Sequence, residues 1–173
     1  MNVVWTREQL DEGVKRLATQ LVTMLASVPR WALVGIRDGG VPLADELADE
    51  VERQGAPRPD RGDVDITLYR DDLYTGLEKP VLGDTDLPFP VTGCGIVLVD
   101  DVLFTGRTVR AAMGEVWDFG RPDFIKLVVL VDRGHRELPV AADLAALALD
   151  TRKSDRVTVD WERREVRVEP GAG

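Results

Sequence analysis

Apolar residues recur at Leu10, Val14, Leu17, Leu21, Met24 and Leu25, the three-and-four spacing that lines one face of a helix ending before Pro29. Thr6-Arg7-Glu8-Gln9 opens that helix as a capping box, with the Thr6 hydroxyl and the Gln9 side chain satisfying each other's backbone donors. The period then changes. Trp31-Ala32-Leu33-Val34-Gly35-Ile36 is a short continuous apolar run, the pattern of a strand buried on both faces. Gly39-Gly40 breaks it, and Pro42 to Glu52 reads as a helix with proline near its first turn. Gln54 to Arg61 reads as loop, and residues 63–69 alternate as a strand. Gly95 to Val99 is a second apolar strand, Thr108 to Phe119 a helix, and Phe124 to Val131 a third apolar strand. Leu144 to Leu149 is an apolar stretch, strand or helix, that fills core space. Val157 to Trp161 and Glu165 to Val168 alternate around a charged turn as a hairpin.

Strands alternating with helices at this spacing predict an α/β fold, with parallel βαβ units in a central, mostly parallel sheet flanked by helices on both faces. The 173 residues suffice for a single domain, 1–173, with no repeat or linker. Arg70 to Pro90 is the exception. It is rich in Gly, Pro and Asp, has no sustained period, and is long for a connection that does nothing.

Composition narrows the setting. With 44% hydrophobic and 31% charged residues the chain is ordinary globular protein. Its single cysteine, Cys94, excludes a disulfide within one chain and a cysteine zinc site. No apolar run approaches a membrane span, and Met1 to Glu8 has neither the basic nor the apolar region of a secretion signal, so a reducing cytoplasm is the expected location. A net charge of −9 disfavours generic nucleic-acid binding but leaves the distribution of charge open.

The chemistry concentrates in Ile96-Val97-Leu98-Val99-Asp100-Asp101-Val102-Leu103-Phe104-Thr105-Gly106-Arg107-Thr108-Val109. Ligands of open α/β sheets bind beyond the carboxyl ends of the strands, where Asp100 and Asp101 fall. Two adjacent carboxylates cannot both face a core, so a turn is expected to present them to a pair of vicinal hydroxyls. Thr105-Gly106-Arg107-Thr108 then enters a helix, whose backbone N–H groups and threonine hydroxyls suit a phosphate. A diol beside a phosphate monoester is a phosphorylated ribose. A capped turn whose acids hold a structural Mg²⁺, or nothing, is the alternative for a shorter motif.

This segment resembles the signature by which type I phosphoribosyltransferases bind phosphoribosyl pyrophosphate (PRPP). Together with residues 65–73 (DITLYRDDL) and 129–139 (VLVDRGHRELP), it is similar to the PyrR family from about Thr6 to Val159. Members are uracil phosphoribosyltransferases, many of which also bind pyrimidine-operon mRNA and regulate it by attenuation. The resemblance implies the type I phosphoribosyltransferase fold, a flexible flap at about 70–90 and a small hood at about 132–169. It implies uracil and PRPP as substrates, UMP as product, Mg²⁺ entering with PRPP rather than in a dedicated cage, a pyr mRNA leader as partner and a homo-oligomer of two or more copies. By position, Asp100 and Asp101 are the catalytic pair on the ribose hydroxyls. Thr105, Gly106, Arg107 and Thr108 take the 5′-phosphate, and Arg37, Asp38, Gly39 and Gly40 form the pyrophosphate loop. Tyr69, Arg70, Asp71 and Asp72 belong to the flap, Val131, Asp132 and Arg133 to the base-facing hood, and His135, Arg136, Arg152 and Lys153 to an RNA-binding face.

Two positions depart from the family pattern. Its Thr-Arg-Gly pyrophosphate loop is Asp38-Gly39-Gly40 here, which removes a cation and adds an acid, with Arg37 left to compensate. Its Gly-Lys pair in the hood is Ala146-Leu147. Three functions therefore stand side by side: an enzyme making UMP, an RNA-binding attenuator that senses UMP, and a nucleotide binder without turnover. A basic face from Arg133, Arg136, Arg152, Lys153, Lys15 and Arg16 would mark the second. Trp117 and Phe119 are expected to pack, and Asp45, Glu46, Asp49, Glu50 and Glu52 to form a solvated helix face.

Overall fold

The computed structural model describes residues 2–66 and 84–172. Strand β1 (Asn2–Trp5) leads into helix α1 (Arg7–Met24), strand β2 (Trp31–Ile36), helix α2 (Gly40–Arg53) and strand β3 (Asp60–Val64). Strand β4 (Gly95–Leu103), helix α3 (Arg107–Asp118) and strand β5 (Phe124–Asp132) follow. The chain ends through β6 (Leu144–Ala148), β7 (Arg156–Asp160) and β8 (Glu165–Glu169). Among the described residues no helix is long and apolar enough to cross a membrane.

Five strands form a parallel sheet in the order β3-β2-β4-β5-β6, with Leu33 opposite both Arg61 and Val97, and Val128 opposite Leu144. The continuous apolar runs are explained by burial on both sides. Leu33, Val97, Val99, Val128 and Leu130 pack under α1 and α2, whereas Val34, Ile96, Leu98 and Val129 pack under α3. Each fully buried leucine of the α1 stripe stabilises the docking of that helix by about 1.5–3 kcal/mol. The Thr6 N–H donates to Gln9 Oε1 at 2.9 Å, so the box reads as expected on that side.

The order in which strands are added reverses between β2 and β4. From β2 the chain runs through α2 to β3 on one side, and from β4 through α3 to β5 on the other. That switch opens a crevice at the carboxyl ends of β2 and β4.

Several expectations need correction. β3 begins at Asp60, inside the stretch read as loop, because Asp60-Arg61-Gly62-Asp63 pairs with β2 through backbone groups that carry no apolar signal. Residues 84–90 are partly docked: Asp86 exchanges backbone hydrogen bonds with Asp63 (2.8 and 2.9 Å), and Leu87 and Phe89 pack on the α3-side core. The flap assigned to Tyr69, Arg70, Asp71 and Asp72 lies outside the described residues. Asp100 and Asp101 are not on a turn, since β4 continues through them to Leu103. Trp117 and Phe119 are 60% and 50% exposed rather than packed. Of the acidic face of α2, Asp45, Asp49 and Glu52 are exposed as expected, paired with Arg61 and Arg58, whereas Glu46 is half-buried against Arg164 and Glu50 is buried beside Arg53. Finally, the terminal hairpin acquires a third strand, giving an antiparallel sheet β1-β8-β7.

Candidate active site

A cleft of about 290 Å³ lies at the crevice, lined by Arg37, Asp38, Gly39, Ile66, Asp100, Asp101, Val102 and Thr108. Six of these eight were nominated from the sequence, from two separate segments. Ile66 and Val102 were not, and nothing but their place after β3 and within β4 would have flagged them.

The loop after β2 reaches the end of β4 because it is glycine. A Cβ on Gly39 would lie 2.1 Å from Asp101 Oδ2, and one on Gly40 would lie 2.1 Å from the Val99 carbonyl oxygen and 3.1 Å from Asp100 Cα. No side chain fits at either place. The Arg37–Asp38 peptide is cis, and the Arg37 N–H donates to the Val64 carbonyl at 3.0 Å. Arg37 therefore enters the cleft from a backbone pinned to β3.

Both carboxylates line the cleft although they are successive residues of β4. Asp100 is buried at 7% exposure, and its Oδ1 accepts the Asp101 N–H at 2.9 Å. Asp101 Oδ1 accepts the Val102 N–H at 2.8 Å. Burial pushes the Asp101 carboxyl above the usual aspartate range, partly offset by its hydrogen bonds to Asp100 and to the backbone. The cleft thus offers hydrogen-bonded, poorly solvated carboxyl oxygens, suited to sugar hydroxyls.

The turn into α3 completes the wall. Gly106 takes φ +91° at the N-cap, and a Cβ there would lie 3.2 Å from Val140 Cβ. The Arg107 N–H donates to Thr105 Oγ1 at 3.3 Å, and the Thr105 carbonyl accepts the Glu137 N–H at 2.9 Å. Thr108 then lines the cleft in the first turn of α3, where helical N–H groups lack intrahelical partners and favour an anion. Arg107 Nε donates to Glu137 Oε2 at 2.9 Å, and Lys153 Nζ reaches Oε1 of the same carboxylate at 3.1 Å. These two cations hold Glu137 below the usual glutamate range. Glu137 was not nominated from the sequence.

The end of β5 and the segment after it clamp rather than line the cleft. Val131 is fully buried in the core, and Asp132 Oδ1 accepts from Gly134 N at 3.0 Å and from Arg136 at 2.5 Å. Arg133 is 5% exposed and stacks its guanidinium 4.0 Å from the centroid of Phe104. It donates to the carbonyls of Asp155 (2.7 Å), Arg152 (2.8 Å) and Lys153 (3.5 Å), so it adds no charge to the surface. Arg136 donates to the carbonyls of Phe104 (2.7 Å) and Val140 (3.0 Å). His135 has φ 62°, places Nε2 2.6 Å from the Thr151 carbonyl oxygen and meets Phe104 edge-on. Arg16 donates to the Ala146 carbonyl at 2.6 Å, while Arg152 pairs with Asp155. Lys15 is exposed on α1, lining a different, ion-paired groove that contains Arg164, Glu46 and Asp11. The residues nominated for a basic face are thus spread over two regions, and most hold the hood together. Ala146 and Leu147 stand in β6, with Ala146 in the core.

The phosphoribosyl transferase domain model matches residues 6–162. The chain is 43% identical over 159 residues to the bifunctional protein PyrR of Thermoanaerobacter sp. (strain X514), across 92% of this chain and 89% of that one. It is 48% identical over 154 residues to the bifunctional protein PyrR of Geobacter sp. (strain M21), across 88% and 86%. Among solved structures it is similar to the hypoxanthine phosphoribosyltransferase of Trypanosoma cruzi, with a TM-score of 0.78 at 16% identity, covering 99% of this chain and 98% of that one. At that identity the likeness is one of fold.

Proposed function

The chain belongs to the phosphoribosyl transferase domain family and within it to the PyrR proteins, and from that premise we propose that it makes UMP and pyrophosphate from uracil and PRPP at the crevice between β2 and β4. The observation that carries the assignment is the convergence of Arg37–Gly39, Asp100, Asp101 and Thr108 on one cleft.

Asp100 and Asp101 accept the two ribose hydroxyls, and the first turn of α3 with Thr105 and Thr108 holds the 5′-phosphate. The loop Arg37–Gly40 takes the pyrophosphate through backbone N–H groups and the Arg37 guanidinium. Ribose is thereby fixed at both ends, which places C1 for attack. The bond from C1 to pyrophosphate oxygen breaks with its electron pair leaving on pyrophosphate, and a bond from uracil nitrogen to C1 forms. The proton on that nitrogen passes to solvent or to the departing pyrophosphate. Positive charge develops on the ribose meanwhile, and the two carboxylates beneath it stabilise that charge.

The oxygen-only donors of the cleft, Asp38, Asp100 and Asp101, suit Mg²⁺ held mainly through substrate oxygens and water. Among the described residues no group of three or more His, Cys, Asp or Glu forms a protein cage. When bound with PRPP, the ion neutralises charge on the leaving group.

The PyrR relatives are described as bifunctional, and the second role proposed here is regulation of pyrimidine biosynthesis gene expression in response to UMP, through a pyr mRNA leader. Glu137 pairs with both Arg107 of the turn into α3 and Lys153 of the proposed RNA-binding face, which supports a coupling of the two roles. Incubating the purified protein with PRPP, Mg²⁺ and each of uracil, hypoxanthine and guanine tests the enzyme. UMP alone is expected; nucleotide formation from a purine but not from uracil would overturn the base assignment.

A further inference from the structure

Among the described residues Arg37 is the one cation of the cleft lining, next to the acid Asp38. A long guanidinium stem beside an acid has many rotamers that do not face a pyrophosphate, and ordering it on each binding event is unfavourable. Behind Arg37 the chain carries a group of residues that the catalytic reading does not use. Arg37 Nη2 lies 3.9 Å from Asp63 Oδ2 on β3, and the other oxygen of Asp63 pairs with Arg61 Nη1 at 2.8 Å. Arg61 Nε in turn pairs with Asp45 of α2 at 2.9 Å. Charges therefore alternate from the surface inward, Asp45, Arg61, Asp63, Arg37, and end on a cation at the cleft.

The middle of this row is fixed. Arg61 is also hydrogen-bonded to the carbonyls of Gly62, Leu33 (3.4 Å) and Val41 (3.3 Å), so it ties β3 to β2 and to the first turn of α2. Asp63 is clamped at its backbone by Asp86 on one side. Its side chain settles against Gly35, where an added Cβ would lie 3.1 Å from Asp63 Oδ1 and 2.9 Å from Val41 Cα. Arg61, at 18% exposure, meets Asp63 Oδ1 as an ion pair only, its Nη1 donating hydrogen bonds to the Leu33 and Gly62 carbonyls, so the buried Asp63 Oδ1 keeps its hydrogen-bonding capacity beside the Arg37 contact.

We propose that Asp63, braced by Arg61, is the positioning residue that aims Arg37 at the pyrophosphate group, supplying from the neighbouring strand the order that the Asp38-Gly39-Gly40 loop does not. The contact at 3.9 Å biases the guanidinium without consuming it. The inference rests on the reading of Arg37–Gly40 as the pyrophosphate loop.

The test compares Asp63→Asn, Asp63→Glu, Arg37→Ala and the double variant Asp63→Asn/Arg37→Ala with the wild type. Affinities for magnesium pyrophosphate and for UMP are measured by calorimetry, together with KM for PRPP and for uracil. UMP has no pyrophosphate and reports the rest of the site. Asp63→Asn is expected to weaken pyrophosphate binding and raise KM for PRPP by about five- to tenfold, with UMP affinity and KM for uracil unchanged. Asp63→Glu should recover most of the loss, and Asp63→Asn should add nothing in the Arg37→Ala background. Unchanged or tighter pyrophosphate binding in Asp63→Asn, or additive losses in the double variant, would overturn the proposal. If Asp63→Asn does not melt cooperatively, the smaller Asp63→Ser carries the same comparison. A wild type that binds UMP but not pyrophosphate overturns this inference alone, and one that binds neither overturns the functional reading beneath it.

Discussion

Gly40 and Gly39 sit side by side in the loop, yet a methyl group added to each meets a different obstacle. On Gly40 the new carbon would be 2.1 Å from the Val99 carbonyl oxygen, whereas a carbon–oxygen contact is ordinarily about 3.3 Å or longer. Either α2 or β4 must retreat by roughly 1 Å, and both are packed into the core, where such shifts cost about 1–3 kcal/mol. On Gly39 the obstacle is the Asp101 carboxylate, at 2.1 Å from Oδ2. A side chain yields more readily than a strand, but it yields by leaving the place proposed for holding the ribose. Gly40→Ala should therefore lower Tm by about 2–12 °C at this chain length. Gly39→Ala should change Tm less, yet lose about tenfold or more in PRPP affinity, about 1.4 kcal/mol. Thermal melts and PRPP titration of both variants separate the two effects. The reverse pattern, with Gly40→Ala melting normally and Gly39→Ala binding PRPP as the wild type does, would refute the close approach of loop and strand.

Asp101 makes stability depend on pH in a defined direction. Its folded pKa is raised, chiefly by burial, so between the ordinary aspartate value and the raised one the folded state holds the extra proton. Stability then falls as pH rises through that window, and the full penalty is present above it. Asp101→Asn should melt higher than the wild type at neutral pH, with the gain shrinking as pH is lowered through the window; a gain independent of pH would contradict the assignment to burial. Arg133→Met removes the donor for three carbonyls and the stacking on Phe104, a loss of about 2–4 kcal/mol. Arg133→Lys, with one ammonium in place of the planar fork, should recover only part of it, as urea denaturation would report.

Much of this was legible in the order of residues. The apolar runs of β2, β4 and β5 sit on a sheet covered from both sides, and continuous hydrophobicity states that directly. Asp100 and Asp101 end such a run, so their place at a strand's carboxyl end followed from the pattern. Their exact presentation did not: Asp100 is buried and Asp101 lies under Gly39, and the backbone pairing of Asp100 with Val129 and of Val102 with Val131 that carries β4 through them leaves no mark in side-chain type. β1 was overlooked because Asn2-Val3-Val4-Trp5 is short and becomes a strand only against β8. Trp117 and Phe119 looked like core by spacing alone, but they close the C-terminal end of α3 and are exposed. Asp63 and Arg61 read as polar loop, and only the pairing of β3 with β2 brings them behind Arg37.

The central claim is that the two carboxylates at the end of β4 hold a phosphorylated ribose. Calorimetric titration of PRPP with Mg²⁺ into the wild type and into Asp100→Asn/Asp101→Asn tests it most directly. The account predicts clear binding to the first and a loss of at least about a hundredfold in the second, roughly 2.8 kcal/mol for two charge-assisted contacts. A double variant that stays folded and binds PRPP as tightly as the wild type would contradict it.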